Sequence, residues 1–421
     1  MKTKALHSLY LETSGISTDT RKISKDCMFF ALKGENFDGN EFAENALKEG
    51  AKYAVIDDVT VNRNDNFILV DDVLKTLQEL ATFHREYLKI PIIALTGSNG
   101  KTTTKELINS VISKKYRTSA TQGNLNNHIG VPLTLLTMDA STEIGIVEMG
   151  ANHQKEIEFL CNIAYPDYGL ITNFGKAHLE GFGGIEGVIK GKSEMYDHLK
   201  KYGKTIFFNE NDPQQIKQIG QYDNTFNLGK NVQLISTEPF LKLDYKSNEI
   251  RTQLTGSYNF NNICVAIGLG EYFKISIKDI ISGIEEYTPS NNRSQLLEQK
   301  DLTIILDAYN ANPTSMEAAL RSFATRKDGK AIAILGDMFE LGNESKIEHE
   351  KIIDLATGLE IDRLIFVGSH FYSVKLNQPN TMFFKSFEDL KTNLDQIDLS
   401  KGRLLIKGSR GMALERILNV L

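Results

Sequence analysis

The sequence predicts an α/β protein of three domains: a small α/β domain first, a central domain on a parallel sheet, and a C-terminal α/β domain. Short unbroken apolar runs alternate with stretches of helical spacing, as strands buried on both faces alternate with crossover helices. The texture of the chain changes near residues 88 and 290, and its length of 421 residues suggests about two to four domains.

In residues 1–88, Phe29-Phe30-Ala31-Leu32 and Tyr53-Ala54-Val55-Ile56 read as strands. Asn45 to Gly50 reads as the end of a helix with a glycine stop. Val73, Leu74, Leu77, Leu80 and Ala81 fall at helical spacing, so a helix from Asp72 to Lys89 closes this domain. In residues 89–290 the runs beginning at Ile92, Ile144, Tyr168 and Thr205 read as strands of a parallel sheet. A polar hinge, Tyr287-Thr288-Pro289-Ser290-Asn291-Asn292-Arg293, leads into residues 291–421, where strands are expected from Thr303, Ala331, Leu364 and Leu404. Several polar motifs follow directly on these strands, at the carboxyl edge where open α/β sheets gather ligands.

Composition excludes some classes. With 41% hydrophobic residues the chain is globular rather than disordered. Lys and Arg number 48 against 54 Asp and Glu, a net charge of −6 that argues against nucleic acid as a partner while leaving room for a local cationic pocket. No apolar run approaches membrane-spanning length, so no membrane insertion is expected. The first residues lack the apolar core of a secretory signal. Three scattered cysteines, Cys27, Cys161 and Cys264, suit small buried hydrophobes in a reducing cytoplasm.

The most informative motif is Thr96-Gly97-Ser98-Asn99-Gly100-Lys101-Thr102-Thr103, between the strand at Ile92 and a helix carrying Leu107, Ile108, Val111 and Ile112. Glycines let backbone N–H groups curl around phosphate oxygens, and the helix start adds partial positive charge. Lys101 would reach the β- and γ-phosphates of a nucleotide, and Thr102 would hold Mg²⁺. The usual phosphate loop has its first glycine five positions before the second. Here Leu95 stands there, and the spacing shortens to Gly97-Ser98-Asn99-Gly100-Lys101-Thr102.

This shortened loop resembles that of the Mur ligase superfamily, ATP-dependent enzymes that form amide bonds in peptidoglycan synthesis. The resemblance covers nearly the whole chain and implies a P-loop ATPase-like central sheet and a Rossmann-like C-terminal domain. It assigns the nucleotide to Gly97, Ser98, Asn99, Gly100, Lys101, Thr102 and Thr103, with Asp307 at the ribose and Tyr309 and Asn310 near the nucleotide. By the same resemblance, Glu148 in Val147-Glu148-Met149-Gly150 binds Mg²⁺ beside Thr102, and His178 in Gly175-Lys176-Ala177-His178 helps to bind a second Mg²⁺. Lys192 in Lys190-Gly191-Lys192-Ser193 matches a lysine that is carbamylated to give an anionic metal ligand, with Lys190 as the nearby competitor. Arg293 matches an arginine that contacts the phosphates. Lys101, Lys192, His178 and Arg293 make up the implied catalytic set.

Specificity must come from the ends of the chain. Tyr309-Asn310-Ala311-Asn312-Pro313 and Gly336-Asp337-Met338-Phe339-Glu340-Leu341-Gly342, with His349 downstream, resemble the branch of the family that adds D-alanyl-D-alanine. Lys407, Ser409 and Arg410 would then bind the dipeptide carboxylate or a phosphate. Asp19, Arg21, Gly34 and Asp38 are similar to the uridine-nucleotide domain, although Thr20 and Asn40 stand where the family often has Ser and His. Asn127, in an Asn-rich loop, is expected near substrate. The implied partners are UDP-N-acetylmuramoyl-tripeptide and D-alanyl-D-alanine, acted on by a monomer. The alternatives are a diaminopimelate- or lysine-adding ligase, a folylpolyglutamate synthase, or a non-catalytic nucleotide-binding homologue.

Overall fold

The computed structural model describes residues 2–325, 329–399 and 401–421. Three large sheets organise most of them. The first is wholly parallel, in the order Ile16–Ser17, Met28–Phe30, Tyr53–Ile56, Phe67–Leu69. The central sheet is also wholly parallel and runs Thr225–Asn227, Thr205–Phe208, Tyr168–Ile171, Ile92–Thr96, Ile144–Glu148, Thr118–Ala120. Its inner strands are buried along their length, as their unbroken apolar runs require.

Strand order reverses around Ile92–Thr96, which pairs with Tyr168–Ile171 on one side and Ile144–Glu148 on the other. Such a reversal opens a crevice beyond the carboxyl ends. The loops after these three strands carry the phosphate-loop motif, the Glu148 motif and the His178 motif, so topology alone gathers them.

The C-terminal sheet is mixed. Asp301–Asp307, Lys401–Lys407, Ala331–Gly336, Arg363–Val367 and Thr381–Phe384 run parallel, but Gln295–Gln299 pairs antiparallel with Asp301–Asp307 at the edge. That strand is polar and only part-buried, so it shows no apolar run. A three-stranded antiparallel sheet, Val232–Ser236, Lys242–Tyr245 and Asn248–Arg251, also escaped the sequence reading. Only Leu243, Tyr245 and Ile250 of it reach the core. Its tight turn sets Lys246 and Ser247 at φ of 51° and 62° without the usual Asn-Gly signal.

The first domain docks on the central one through the helix Val73–Leu88. Arg85 donates to the carbonyls of Ala164 and Tyr165 and pairs with Asp167 at 2.8 Å. Tyr10 donates to Leu136 O at 2.6 Å. His84 Nε2 donates to Met138 O at 2.8 Å, which leaves Nδ1 to accept from His7 Nε2 at 3.0 Å. Burial holds both imidazoles below their usual pKa, with the charge of His84 adding to the effect at His7. The unfolded chain therefore takes up protons first as pH drops below about 6.5, and stability falls until the folded rings protonate too. His84→Gln keeps a donor toward Met138 O and should flatten the decline of Tm between about pH 7 and about pH 5. A slope identical to that of the unchanged protein would count against this account of the pair.

Candidate active site

Beyond the carboxyl ends of the central strands lies a cleft of ≈ 1580 Å³. Ser98 to Thr103, Glu148 and His178 line it from the central domain; Arg293, Asp307, Tyr309, Asn310 and Lys407 line it from the C-terminal domain. The helix Val73–Leu88 contributes Leu74 and Gln78.

The phosphate loop is held by the loop that follows Tyr168–Ile171. Ser98 N donates to Asn173 O, Asn99 N to Asn173 Oδ1, and Thr172 Oγ1 to Asn99 O. Gly97 has φ 141°, and a Cβ there would lie 2.0 Å from Thr172 Oγ1, so only glycine fits the brace. Gly100 has φ 78° and starts the helix Lys101–Ile112, whose apolar face is buried. Lys101 Nζ donates to Gly97 O at 2.7 Å, folding the ammonium back over the loop. Burial pushes its pKa down; Glu148 opposes that and Arg293 adds to it.

Glu148 ends its strand fully buried. Its Oε1 accepts from Thr102 Oγ1 at 3.2 Å and from Asn126 Nδ2 at 2.8 Å, while its Oε2 has no partner among the described residues. A buried carboxylate oxygen without a partner, beside a threonine hydroxyl, is the hard donor set that Mg²⁺ prefers. Among the buried donors likewise unpartnered among the described residues are Asn99 Nδ2 and Arg293 Nε, and both residues line the cleft. A phosphate oxygen would satisfy such groups. Arg293 stacks on Tyr309, its guanidinium carbon 3.6 Å from the ring centroid, so the hinge delivers a fixed cation to the cleft.

His178 lines the cleft with φ 53°, and Glu340 Oε2 of the C-terminal domain lies 2.5 Å from its Nδ1, a close approach not aligned as a hydrogen bond. The imidazole holds the Glu340 carboxyl below its usual range. Among the described residues no group of three His, Cys, Asp or Glu is placed to hold a metal.

Lys192 does not line the cleft. It is fully buried, with Nζ 3.1 Å from Ala151 O and 5.0 Å from the Phe182 ring centroid. Burial, and then the nearby charge of Lys101, hold its amine well below the usual lysine range.

Several expected binding residues have other partners. Lys407 is buried and pairs with Asp307 Oδ2 at 2.6 Å, while Asp307 Oδ1 accepts from Ser294 N. Ser409 Oγ accepts from Phe339 N and donates to Ala311 O, clamping two loops. Arg410 pairs with Glu415 at 3.1 Å on the surface, outside the cleft lining. The residue types suited an anion, but neighbouring loops consume their charges and hydrogen bonds. Asp19 and Arg21 pair with each other at 2.8 Å; Asp38 caps Asn40; and Gly34 lies against the Phe37 ring. The structure brings none of these four into the cleft. Asn127 lines it, but its Oδ1 caps Gly130 N, and its neighbour Asn126 holds Glu148.

The sequence reading also missed contributors. Asn259 and Asn262 line the cleft, and Thr104 donates to Asn262 Oδ1. Across the domains, Asn312 Nδ2 donates to Asn99 Oδ1 at 2.8 Å, and Lys176 pairs with Glu348 at 2.7 Å. A Ser-Tyr-Asn-Phe-Asn-Asn run at 257–262 was the available signal for the first pair. Asn312 and Lys176 stand in motifs quoted above, but nothing local in the sequence marks their pairing across the domains.

Comparison with known proteins places this arrangement. Three family profiles match consecutive stretches: "Mur ligase family, catalytic domain" over residues 12–85, "Mur ligase middle domain" over 95–270, and "Mur ligase, glutamate ligase domain" over 292–410. The UDP-N-acetylmuramoyl-tripeptide–D-alanyl-D-alanine ligase of Bacillus subtilis is 35% identical across 96% of this chain and 92% of its own. This chain belongs to the Mur ligase family. Among solved Mur ligases, MurF from Acinetobacter baumannii superposes with a TM-score of 0.86 at 28% identity, covering 100% of this chain and 98% of its own. MurF of Thermotoga maritima, crystallised in complex with ADP, gives 0.84 at 27% identity, covering 97% of each chain.

Proposed function

We propose that this chain joins D-alanyl-D-alanine to UDP-N-acetylmuramoyl-tripeptide at the expense of ATP, releasing ADP and phosphate. The observation that carries the reading is the convergence, at one sheet reversal, of a phosphate loop, a buried Glu148 oxygen without a partner, and the stacked Arg293 cation. The near full-length likeness to D-alanyl-D-alanine ligases gives the substrates. The reaction uses water-soluble nucleotide substrates and is assigned to the cytoplasm, with the protein acting as a monomer.

A carboxylate is a poor electrophile, so the tripeptide carboxylate first takes the γ-phosphoryl of ATP. Its oxygen forms the new P–O bond as the bond to ADP breaks. Lys101 and the loop amides hold the phosphates, and Arg293 offsets charge on the transferring group. The dipeptide amine then attacks the acyl carbon, loses a proton, and phosphate leaves as the amide forms. Glu148 and Thr102 would hold Mg²⁺, with His178 at a second ion; the metal supplies charge neutralisation on the phosphates. Lys192 is assigned as the carbamylated residue. In its neutral form the amine adds to CO₂ and loses a proton, leaving an anionic carbamate oxygen of the kind a hard metal ion would take. Residues 1–88 are assigned to the uridine nucleotide, 89–290 to ATP and magnesium, and 291–421 to the dipeptide and to closure over ATP.

The test is phosphate release with UDP-N-acetylmuramoyl-tripeptide and a panel of amines, run with tripeptides ending in diaminopimelate and in lysine. Release is expected only with D-alanyl-D-alanine. Release driven instead by free diaminopimelate or lysine, added to the dipeptide precursor, would move the chain to another branch of the family.

A further inference from the structure

The contact between His178 and Glu340 spans two domains. Glu340 belongs to the loop after Ala331–Gly336, and His178 to the loop after Tyr168–Ile171. Both sit in left-handed backbone, at φ 61° and 53°, although neither is glycine. Such conformations persist only where the surroundings over-determine them, and they gather at functional sites. The surroundings here are the domain junction itself. Glu180 N donates to Glu340 O at 3.2 Å, and a Cβ at Gly342 would lie 3.2 Å from the Glu180 side chain. The two loops are pressed together at their most constrained points, with the Glu340 carboxylate 2.5 Å from His178 Nδ1.

A carboxylate this close to one imidazole nitrogen favours the ring proton on that nitrogen through its charge, even without an aligned hydrogen bond, and the lone pair is left on the other. Histidines that bind metals are commonly oriented in this way. Here Nε2 makes no hydrogen bond among the described residues, and the ring lines the cleft. We infer that Glu340 is a positioning residue: reaching across from the C-terminal domain, it sets the tautomer and angle of His178, so that the second metal site is complete only when the domains are closed. Closure and metal binding then reinforce each other, because linkage is reciprocal. The inference rests on the metal reading given above for His178. It goes beyond it in assigning Glu340 and the coupling.

Mn²⁺ binding, followed by its EPR signal in the presence of a non-hydrolysable ATP analogue, tests it. The unchanged protein should bind one Mn²⁺ beyond that carried by the nucleotide. Glu340→Ala should weaken that ion about 10-fold or more, with metal-free affinity for the analogue unchanged, and Glu340→Gln, which keeps the shape, should fall between. Glu348→Gln breaks another ion pair between these two domains, to Lys176, without touching His178. Small-angle scattering should report a more open average shape, and Mn²⁺ binding should weaken only through that shift, by clearly less than in Glu340→Ala. Unaltered Mn²⁺ affinity in Glu340→Ala and Glu340→Gln overturns the inference and leaves the metal reading intact. Equal weakening by Glu348→Gln also overturns it, because the effect would then come from closure and not from ring orientation. An unchanged protein that binds no second Mn²⁺ overturns both.

Discussion

Lys101→Ala leaves the fold in place and lowers ATP-dependent ligation by at least about 10³-fold, the scale lost when a fixed cation or donor is removed from a phosphoryl or acyl transition state. Among the described residues Lys101 Nζ bonds only the carbonyl of Gly97, within its own loop. Burial disfavours its charge, so removing it relieves a desolvation cost while deleting one charge-assisted hydrogen bond. Without nucleotide, the Tm of Lys101→Ala should match or exceed that of the unchanged protein. With ATP present, the unchanged protein should gain stability by ligand linkage and the variant should gain far less. Parallel thermal melts and initial-rate phosphate release read both effects. Activity within about tenfold of normal would sink the phosphate-loop assignment.

Lys192→Ala should be inactive by a similar factor of about 10³ and partly restored by acetate or propionate if, as proposed, the side chain supplies an anionic carbamate oxygen and not an amine. The fully buried position explains both halves of this expectation. A short acid can enter the space that the side chain vacates, whereas a lysine cation there is disfavoured by its surroundings. The same burial gives a stability test. The folded amine has a lowered pKa and the unfolded one does not, so folding releases a proton in the window between them, and stability rises with pH through it. Lys192→Met, of similar volume and without charge, should therefore raise Tm at neutral pH in CO₂-free buffer. Bicarbonate should alter the Tm of the unchanged protein but not that of the variant. Failure of carboxylate rescue, together with no carbamate signal from ¹³C-labelled CO₂ by NMR, would remove Lys192 from the metal site.

Much of the architecture was legible because its signals are local. Ile92–Thr96, Tyr168–Ile171 and Thr205–Phe208 are buried on both faces and so appear as continuous apolar runs. Val73–Leu88 announced itself by spacing, and Asp72 caps it by accepting from Lys75 N. Thr118–Ala120, Thr225–Asn227 and Gln295–Gln299 escaped because edge strands are half-buried and need no apolar run.

The candidate site divides in the same way. The phosphate loop, Glu148 and His178 could be read from sequence, since each follows a recognisable strand and the reversal of strand order makes the three neighbours. What each side chain does there was decided by tertiary contacts. Lys407 and Arg410 lie three residues apart and looked like one anion site. Asp307 takes the first into the interior and Glu415 holds the second at the surface. Likewise Asn126 rather than Asn127 turns toward Glu148. By itself the sequence determined the parallel sheets, the shortened phosphate loop and the chemistry available at the strand ends. Only the tertiary structure decided which charges remain uncompensated and which loop of the C-terminal domain meets His178. Strand and helix signals come from residues a few positions apart, whereas compensation of a charge depends on partners such as Asp307 and Lys407, a hundred residues apart, whose meeting carries no periodicity.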